Sequence, residues 1–285
     1  MEPTRRKTAL HIAIPASLVS DIPQHREKTA TVGLIGRAAA IFRVDGISIY
    51  LDPDATERDA SFIELLLNYM DTPQYLRKRL FPLKHELKYA GILHPLRSPH
   101  HPTKNKVKDL RIGEFREGLV IGSQGDYSEI DIGVEDLLLA EPVGASRRGR
   151  VTVQVTETEP KLRGRIVTKG DVDLYWGYDV RTLESMSEIL IGEHFDLSIA
   201  TSRTGRPLNE VSDGILQSWK SARNVLVAFG APGMGLKEIL ELEGLELQGA
   251  FDFIVNTVPL QGSQTIRTEE AIYCTLSVFN LLIQS

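Results

Sequence analysis

The sequence predicts a mostly parallel α/β domain interrupted by a small all-β unit. Three observations carry that expectation. Strand-like and helix-like segments alternate through residues 1–90. The same rhythm returns after Asp171. Between them, residues 91–170 break into short β-like runs separated by turn signals. Alternating β and α units favour a parallel sheet covered by helices. The β-rich stretch therefore reads as an insertion into one discontinuous domain, residues 1–90 plus 171–285.

The elements follow in order. Ala9 to Leu18 is a short apolar strand, and Gln24 to Arg43 has helical spacing. Gly46 to Leu51 alternates and is rich in β-branched residues, which suits a second strand. Glu57 to Met70 is helical again, and Asp71-Thr72-Pro73 restarts the chain as a short helix over Tyr75 to Leu80. The runs GLVIGSQ, EIDIGVE, DLLLAEP, RVTVQVTE and KLRGRIVT suit a five-stranded OB-like barrel. Beyond it the pattern predicts a helix over Val180 to Leu190 and strands at Phe195–Ala200 and Asn224–Phe229. A helix over Gly235–Glu243, a strand at Phe251–Val258 and a helix over Thr268–Ile283 complete the chain.

Composition narrows the function classes. With 42% hydrophobic and 25% charged residues among 285, the chain reads as an ordinary soluble protein with a sizeable core. No run approaches the roughly 18 apolar residues of a membrane helix. The opening MEPTRRKTALHIAIPASL is basic then apolar, but Pro15 and the alternation favour a strand over a signal peptide. One cysteine, Cys274, excludes an intramolecular disulfide and a cysteine metal cage, and fits a reducing cytoplasm. His94, His100 and His101 lack the partners a metal site needs, so no metal is expected.

The net charge of -5 disguises an uneven distribution. Tyr75 to Arg111 holds ten Lys/Arg against two acids, whereas Asp171 to the end holds seven against sixteen. Such a basic stretch is either an electrostatic footprint for a polyanion or a solvated lysine-rich loop.

Three segments carry candidate chemistry. In the helix Lys28 to Phe42, Arg37 shares a stripe with Gly33, Ala40 and Val44. A guanidinium among tiny residues either meets an anion or carbonyl groups, or pairs locally and snorkels to solvent. In VLVAFGAPGMGL a buried strand ends in Gly230, Pro232, Gly233 and Gly235 before a helix. Ligands of parallel sheets bind beyond the carboxyl ends of strands, where such turns sit, although an ordinary tight turn has the same pattern. The pattern is neither GxGxxG nor a Walker loop, which excludes a dinucleotide or P-loop site. In the third segment a polar loop, Asn256 to Arg267, carries Pro259 and Gly262 and leads to a helix with Thr268 as candidate N-cap. Glu269 and Glu270 in its first turn either serve the helix dipole or accept a substrate proton. The aromatics of DLYWGYDVR, Asp171 to Arg181, suit packing at the return junction better than base stacking.

Together these segments resemble the SPOUT superfamily of RNA methyltransferases. VGLIGRAAAIFRVDGISIY is similar to the asparagine-glycine-arginine motif of its ribose-methylating branch, with Thr31 or Val32 where that branch has asparagine. VLVAFGAPGMGL resembles its strand-glycine turn, and VPLQGSQTIRTEEAI the loop that closes its cofactor site. PASL, YLRKRLFP, YAGILHPLRSPHH, FREGLV, DLYWGYDVR and QGSQTIRTEEAI, spread from residue 15 to 272, are closer still to an archaeal and eukaryotic subfamily with an OB-like insertion.

The resemblance implies a C-terminal trefoil knot, a rare exception to unknotted topology, a homodimer, and S-adenosylmethionine as cofactor. Carried onto this chain, the cofactor would meet Phe229, Gly230, Ala231 and Pro232 in a first loop. Asn256, Thr257, Val258, Pro259 and Gly262, then Gln264, Thr265 and Ile266, would form a second. Arg37, often from the partner subunit in the superfamily, would face the methyl acceptor, with Glu269 or Glu270 taking the proton. Eukaryotic relatives are associated with uridine N3 of large-subunit ribosomal RNA. Ribose 2′-O-methylation and a non-catalytic RNA-binding or assembly role are the competing expectations. Lys104, Lys106, Lys108, Arg111, Arg147, Arg148 and Arg150 are the residues expected to grip RNA.

Overall fold

Every position of the segment GISIY is buried, so its strand has no face open to solvent and must lie inside a sheet covered on both sides. The computed structural model, which describes residues 3–142 and 149–283, places it second in a chain of eleven strands and eight α-helices among those residues. In order these are β1 (Ala9–Pro15), α1 (His25–Ile41), β2 (Gly46–Tyr50), α2 (Glu57–Asp71) and α3 (Gln74–Leu80). Next come β3 (Phe115–Gln124), β4 (Tyr127–Asp131), β5 (Leu138–Ala140), β6 (Arg150–Glu157) and β7 (Arg163–Val167). The remainder are β8 (Asp179–Leu183), α4 (Met186–Gly192), β9 (Leu197–Pro207), α5 (Leu208–Ser221), β10 (Asn224–Ala228), α6 (Leu236–Leu242), α7 (Leu247–Ala250), β11 (Phe253–Asn256) and α8 (Thr268–Leu282).

The described residues divide into two compact units. The larger runs from Arg6 to Asp71, His85 to Pro95, and Gly177 onward. Its core is a six-stranded, wholly parallel sheet in the order β11-β9-β10-β1-β2-β8. Central strands such as β1 and β10 bury Ile12, Ile14, Leu226 and Val227 completely. This is the mixed α/β architecture with a large parallel sheet that the alternation implies.

Several elements depart from the sequence-based expectation: the strand expected to reach Leu18 ends at Pro15 in a 3-10 helix over Ala16–Val19, and the short helix α7 has no counterpart in the sequence reading. The helix expected from Val180 begins only at Met186, because Asp179–Leu183 pairs in parallel with β2 as an edge strand. Ser185 caps that helix, its side chain accepting from the Glu188 N–H at 3.0 Å. An unexpected helix, α5, follows β9 and buries Leu208, Val211, Ile215 and Trp219, an apolar stripe at helical spacing.

The smaller unit gathers the residues up to Arg5, Thr72–Lys84 and Leu96–Trp176. Its centre is a closed five-stranded barrel in the order β3-β4-β5-β7-β6, antiparallel except for the β5–β7 pair. The sequence-based insertion spans 91–170; α3 belongs to this unit as well. Tyr75 of α3 lies against Gly133, at φ +81, where a Cβ would come within 2.3 Å of its ring. The Tyr75 hydroxyl donates to the Glu117 carbonyl at 2.7 Å, and Arg79 pairs with Asp131 at 2.8 Å.

A polar group lies inside the barrel unit. Glu117, 1% exposed, accepts from Arg150 Nε at 2.5 Å, from Thr152 Oγ1 at 2.8 Å and from Trp176 Nε1. Three donors engage both oxygens of a carboxylate that would otherwise be costly to bury. Tyr175 and Trp176 are buried in this unit, and Tyr178 is buried in the larger one, so these junction aromatics pack rather than face solvent. Among the described residues, no helix is long and apolar enough to cross a membrane.

Candidate active site

All six sheet strands run in one direction, so their carboxyl ends share an edge, the usual place for a ligand in such sheets. A cleft of about 510 Å³ opens there, at the ends of β9, β10 and β11. That volume lies within the ordinary range for small-molecule sites.

The first wall is the turn that follows β10. Phe229, Gly230, Ala231 and Pro232 all line the cleft, together with Gly233, Met234 and Gly235. The turn closes through the Ala231 N–H donating to the Met234 carbonyl at 2.9 Å. At Gly230 a Cβ would stand 3.2 Å from Gly235 Cα and Leu236 N, so glycine lets two stretches of backbone touch.

The second wall is the loop between β11 and α8. Asn256, Thr257, Val258, Gln264, Thr265 and Ile266 line the cleft. Pro259 and Gly262 are not among the lining residues, and Gln261 is. Nothing lies within 4 Å of a Cβ at Gly262, so no close approach requires that glycine. Thr268 is the first residue of α8 rather than its N-cap, which is Arg267. Its hydroxyl instead reaches the Gly230 carbonyl at 3.4 Å and joins the two walls.

The third wall was missed by sequence reasoning. The β9–β11 ladder runs Ile254↔Ala200 and then Val255↔Arg206, leaving the stretch between Ala200 and Arg206 as an excursion from β9. Thr201, Ser202, Arg203 and Thr204 of that excursion line the cleft. Arg203 Nη1 donates to the Gln264 carbonyl at 2.8 Å, and Asn256 Nδ2 to the Arg203 carbonyl at 2.9 Å. The one signal in the sequence is Gly205, where a Cβ would come within 2.7 Å of the Val255 backbone, so glycine lets the excursion close back onto β11. Lys237 and Glu238 at the start of α6 also line the cleft; their segment reads from sequence only as the first turn of a helix.

The remaining candidate residues lie elsewhere. Arg37, half-buried on α1, does not line the cleft; its Nη1 donates to the Pro95 carbonyl at 2.9 Å. Its charge is felt by Tyr273 of α8, whose pKa burial raises and Arg37 partly lowers. Glu269 and Glu270 do not line the cleft either. Glu270 accepts from the Arg267 N–H at 2.9 Å, a structural role at the helix start alongside the dipole role open to it in the sequence. Glu269 is 7% exposed, and burial raises its pKa against the opposing effects of a backbone hydrogen bond and Arg267.

In the barrel unit Lys104, Lys106, Lys108 and Arg111 are exposed, as a polyanion-binding cluster requires. Arg150 instead spends its guanidinium on Glu117. Arg147 and Arg148 lie outside the described residues.

A glycine-turned cleft at the carboxyl edge of a parallel sheet defines a small-molecule site on an α/β enzyme scaffold, and the same chain carries a separate barrel unit with an exposed basic cluster. Comparison with known proteins makes the class specific. Residues 9–279 match the model of a family described as "Putative RNA methyltransferase". An uncharacterized protein of Halobacterium salinarum is 34% identical over 287 residues, covering 95% of this chain and 98% of that one. The human "28S rRNA (uridine-N(3))-methyltransferase" is 33% identical over 307 residues, covering 95% of this chain and 78% of its own length. The Drosophila melanogaster protein of the same name is 31% identical over 314 residues, covering 97% and 63%. The chain belongs to this RNA methyltransferase family.

Proposed function

We propose that the chain is a SPOUT-type methyltransferase that uses S-adenosylmethionine to methylate ribosomal RNA at uridine N3. The observation that carries the reading is the convergence of the Gly230 and Val258–Ile266 segments on one cleft, in a chain of the RNA methyltransferase family. The relatives named as uridine-N3 methyltransferases support the acceptor.

The residues present fit the cofactor. Phe229, Val258 and Ile266 offer apolar surface, Glu238 a carboxylate, and Lys237 and Arg203 cations for the two ends of an amino-acid group. The turn at Gly230 keeps the backbone free of side-chain bulk. When bound, S-adenosylmethionine supplies an electrophilic methyl group. This chain's residues supply alignment, which accounts for much of the rate in such transfers.

A uridine ring nitrogen attacks only after losing its proton. Arg37 stays protonated, so its role is to stabilise negative charge on the uracil, not to act as a base. Because Arg37 is absent from the lining of its own chain's cleft, the reading places it at the cleft of a partner subunit in a homodimer. Neither Glu269 nor Glu270 lines the cleft of this chain; of the two, Glu269 has the raised pKa of a stronger base, while Glu270 is engaged at the helix start. The closed barrel, whose strand order suits an OB fold, is the RNA-gripping module. The family's trefoil knot and a cytoplasmic location belong to the same reading.

The test is calorimetry with S-adenosylmethionine, then radiolabelled methyl transfer to total RNA and mass spectrometry of its nucleosides. The expected product is 3-methyluridine in ribosomal RNA. A 2′-O-methylated nucleoside would assign the ribose reaction instead, and an absence of cofactor binding would assign a non-catalytic assembly role.

A further inference from the structure

Three consecutive carbonyls at the end of β10 are each held by a hydroxyl from a different element. Thr201 Oγ1 of β9 donates to the Ala228 carbonyl at 2.8 Å. Tyr50 Oη of β2 donates to the Phe229 carbonyl at 2.6 Å. Thr268 Oγ1 of α8 donates to the Gly230 carbonyl at 3.4 Å. The β9–β10 ladder ends at Ala200↔Ala228, and the Phe229 N–H on the Ala13 carbonyl at 3.0 Å is the next backbone link from this stretch to β1. A buried carbonyl outside regular structure requires another donor, and here side chains supply it.

The donors are placed differently. Thr201 and Thr268 line the cleft themselves, while Tyr50 does not line it and supports the turn from behind. Tyr50 is fully buried, and its burial, with Asp52 and Glu243, holds the phenol protonated at any physiological pH. Each hydroxyl therefore ties the Gly230 turn to another part of the larger unit: the β9 excursion, the sheet, and the helix that ends the second loop.

We propose that Tyr50, Thr201 and Thr268 are positioning residues that set the Gly230 turn in its cofactor-binding conformation before the methyl donor arrives. The proposal rests on the reading that this turn holds the donor. A turn whose carbonyls are already fixed presents its backbone without the entropic cost of ordering it on binding. The hydroxyls act through the backbone and contribute no chemistry of their own.

The test uses the full chain with Thr268→Val, Thr268→Ser and Tyr50→Phe. Each is read by hydrogen exchange at the amides of 229–236 without ligand, by calorimetry with S-adenosylmethionine, and by KM and kcat for methylation. Thr268→Val and Tyr50→Phe are expected to speed exchange in the turn and to weaken donor binding by about tenfold, within the range of one hydrogen bond. The loss is expected in KM for the donor, and Thr268→Ser, which keeps the hydroxyl, restores it. Unchanged exchange and affinity in Thr268→Val would overturn the proposal. So would equal damage in Thr268→Ser, or faster exchange spread over the whole sheet. If Tyr50→Phe fails to fold, the Thr268 pair decides. If exchange responds as expected while the parent chain binds no S-adenosylmethionine, the brace stands and the cofactor reading falls.

Discussion

Thr257 and Thr275 meet hydroxyl to hydroxyl at 2.7 Å, joining the residue after β11 to the middle of α8. The pair clasps the base of the second cleft loop, since the chain leaves the sheet at Asn256 and re-enters regular structure at Thr268. Thr275 is fully buried. Thr275→Val keeps the shape and removes the partner, at a cost of about 1 kcal/mol. A fall in Tm of about 2–4 °C is expected for a chain of this size, with Thr275→Ser restoring it. Thermal unfolding of the two variants checks this.

The two glycines that stand out in the sequence part company in the structure. Gly230→Ala places a methyl group 3.2–3.3 Å from backbone atoms of Met234, Gly235 and Leu236, which cannot give way as a side-chain tip could. Gly262→Ala meets nothing within 4 Å. Calorimetry is expected to show S-adenosylmethionine binding weakened by about tenfold or more in the first variant, on the scale of a small overpacking penalty. Unchanged binding is expected in the second.

Glu117 anchors the barrel unit. Glu117→Ala leaves Arg150 and Trp176 without their acceptor and is expected to cost about 3–5 kcal/mol, the scale of a broken buried ion pair. Urea denaturation measures the loss. Glu117→Gln, which can keep some of the hydrogen bonds, is expected to lose less.

Charge reversal of Lys104, Lys106, Lys108 and Arg111 tests the barrel as the RNA grip. These side chains are exposed, so the substitutions leave the fold intact. RNA affinity is expected to fall, and the slope of log affinity against log salt to flatten by about 0.7–0.9 for each phosphate contact removed. Affinity and slope equal to those of the parent chain would reject the role.

His11 links stability to pH. Its folded-state pKa is lowered to about 4, first by burial and then by Arg181, with Asp179 opposing. As pH falls below about 6.5, the unfolded chain binds a proton that the folded chain refuses. This contribution is therefore fully present above pH 6.5 and is lost as the pH falls towards 4. The limiting slope is about 1.4 kcal/mol per pH unit, less in practice because the ring keeps some contact with solvent. Urea midpoints between pH 4 and 7 should decline for the parent chain, and more shallowly for His11→Leu.

The parts of the fold most legible in the sequence are those written in hydrophobic runs. β2 and β10 are almost wholly buried, so their composition announces them. β8, with the polar sequence DVRTL, is an edge strand open to solvent and lacks that signal. Helix α5 carries a readable stripe of Leu208, Val211, Ile215 and Trp219, but Gly214 and the polar residues between obscured it. The cleft shows the same division. Its glycine turn and second loop have recognisable patterns, whereas Thr201 to Thr204 reach the cleft through a slip in strand register, a property of two paired strands that neither reveals alone.

That pairing order has a consequence for how the chain folds. The barrel strands pair with near neighbours in sequence, as in Leu119↔Asp131, so this unit can form early. The centre of the large sheet cannot, because Ala9 of β1 waits for Asn224 of β10. Until β10 is synthesised and seats itself between β1 and β9, β1 keeps an open edge carrying Ile12 and Ile14. An unpaired apolar edge is a template for aggregation. Late docking of β10 is therefore the expected slow step of folding, and chains truncated before Asn224 are expected to depend on chaperones to remain in solution.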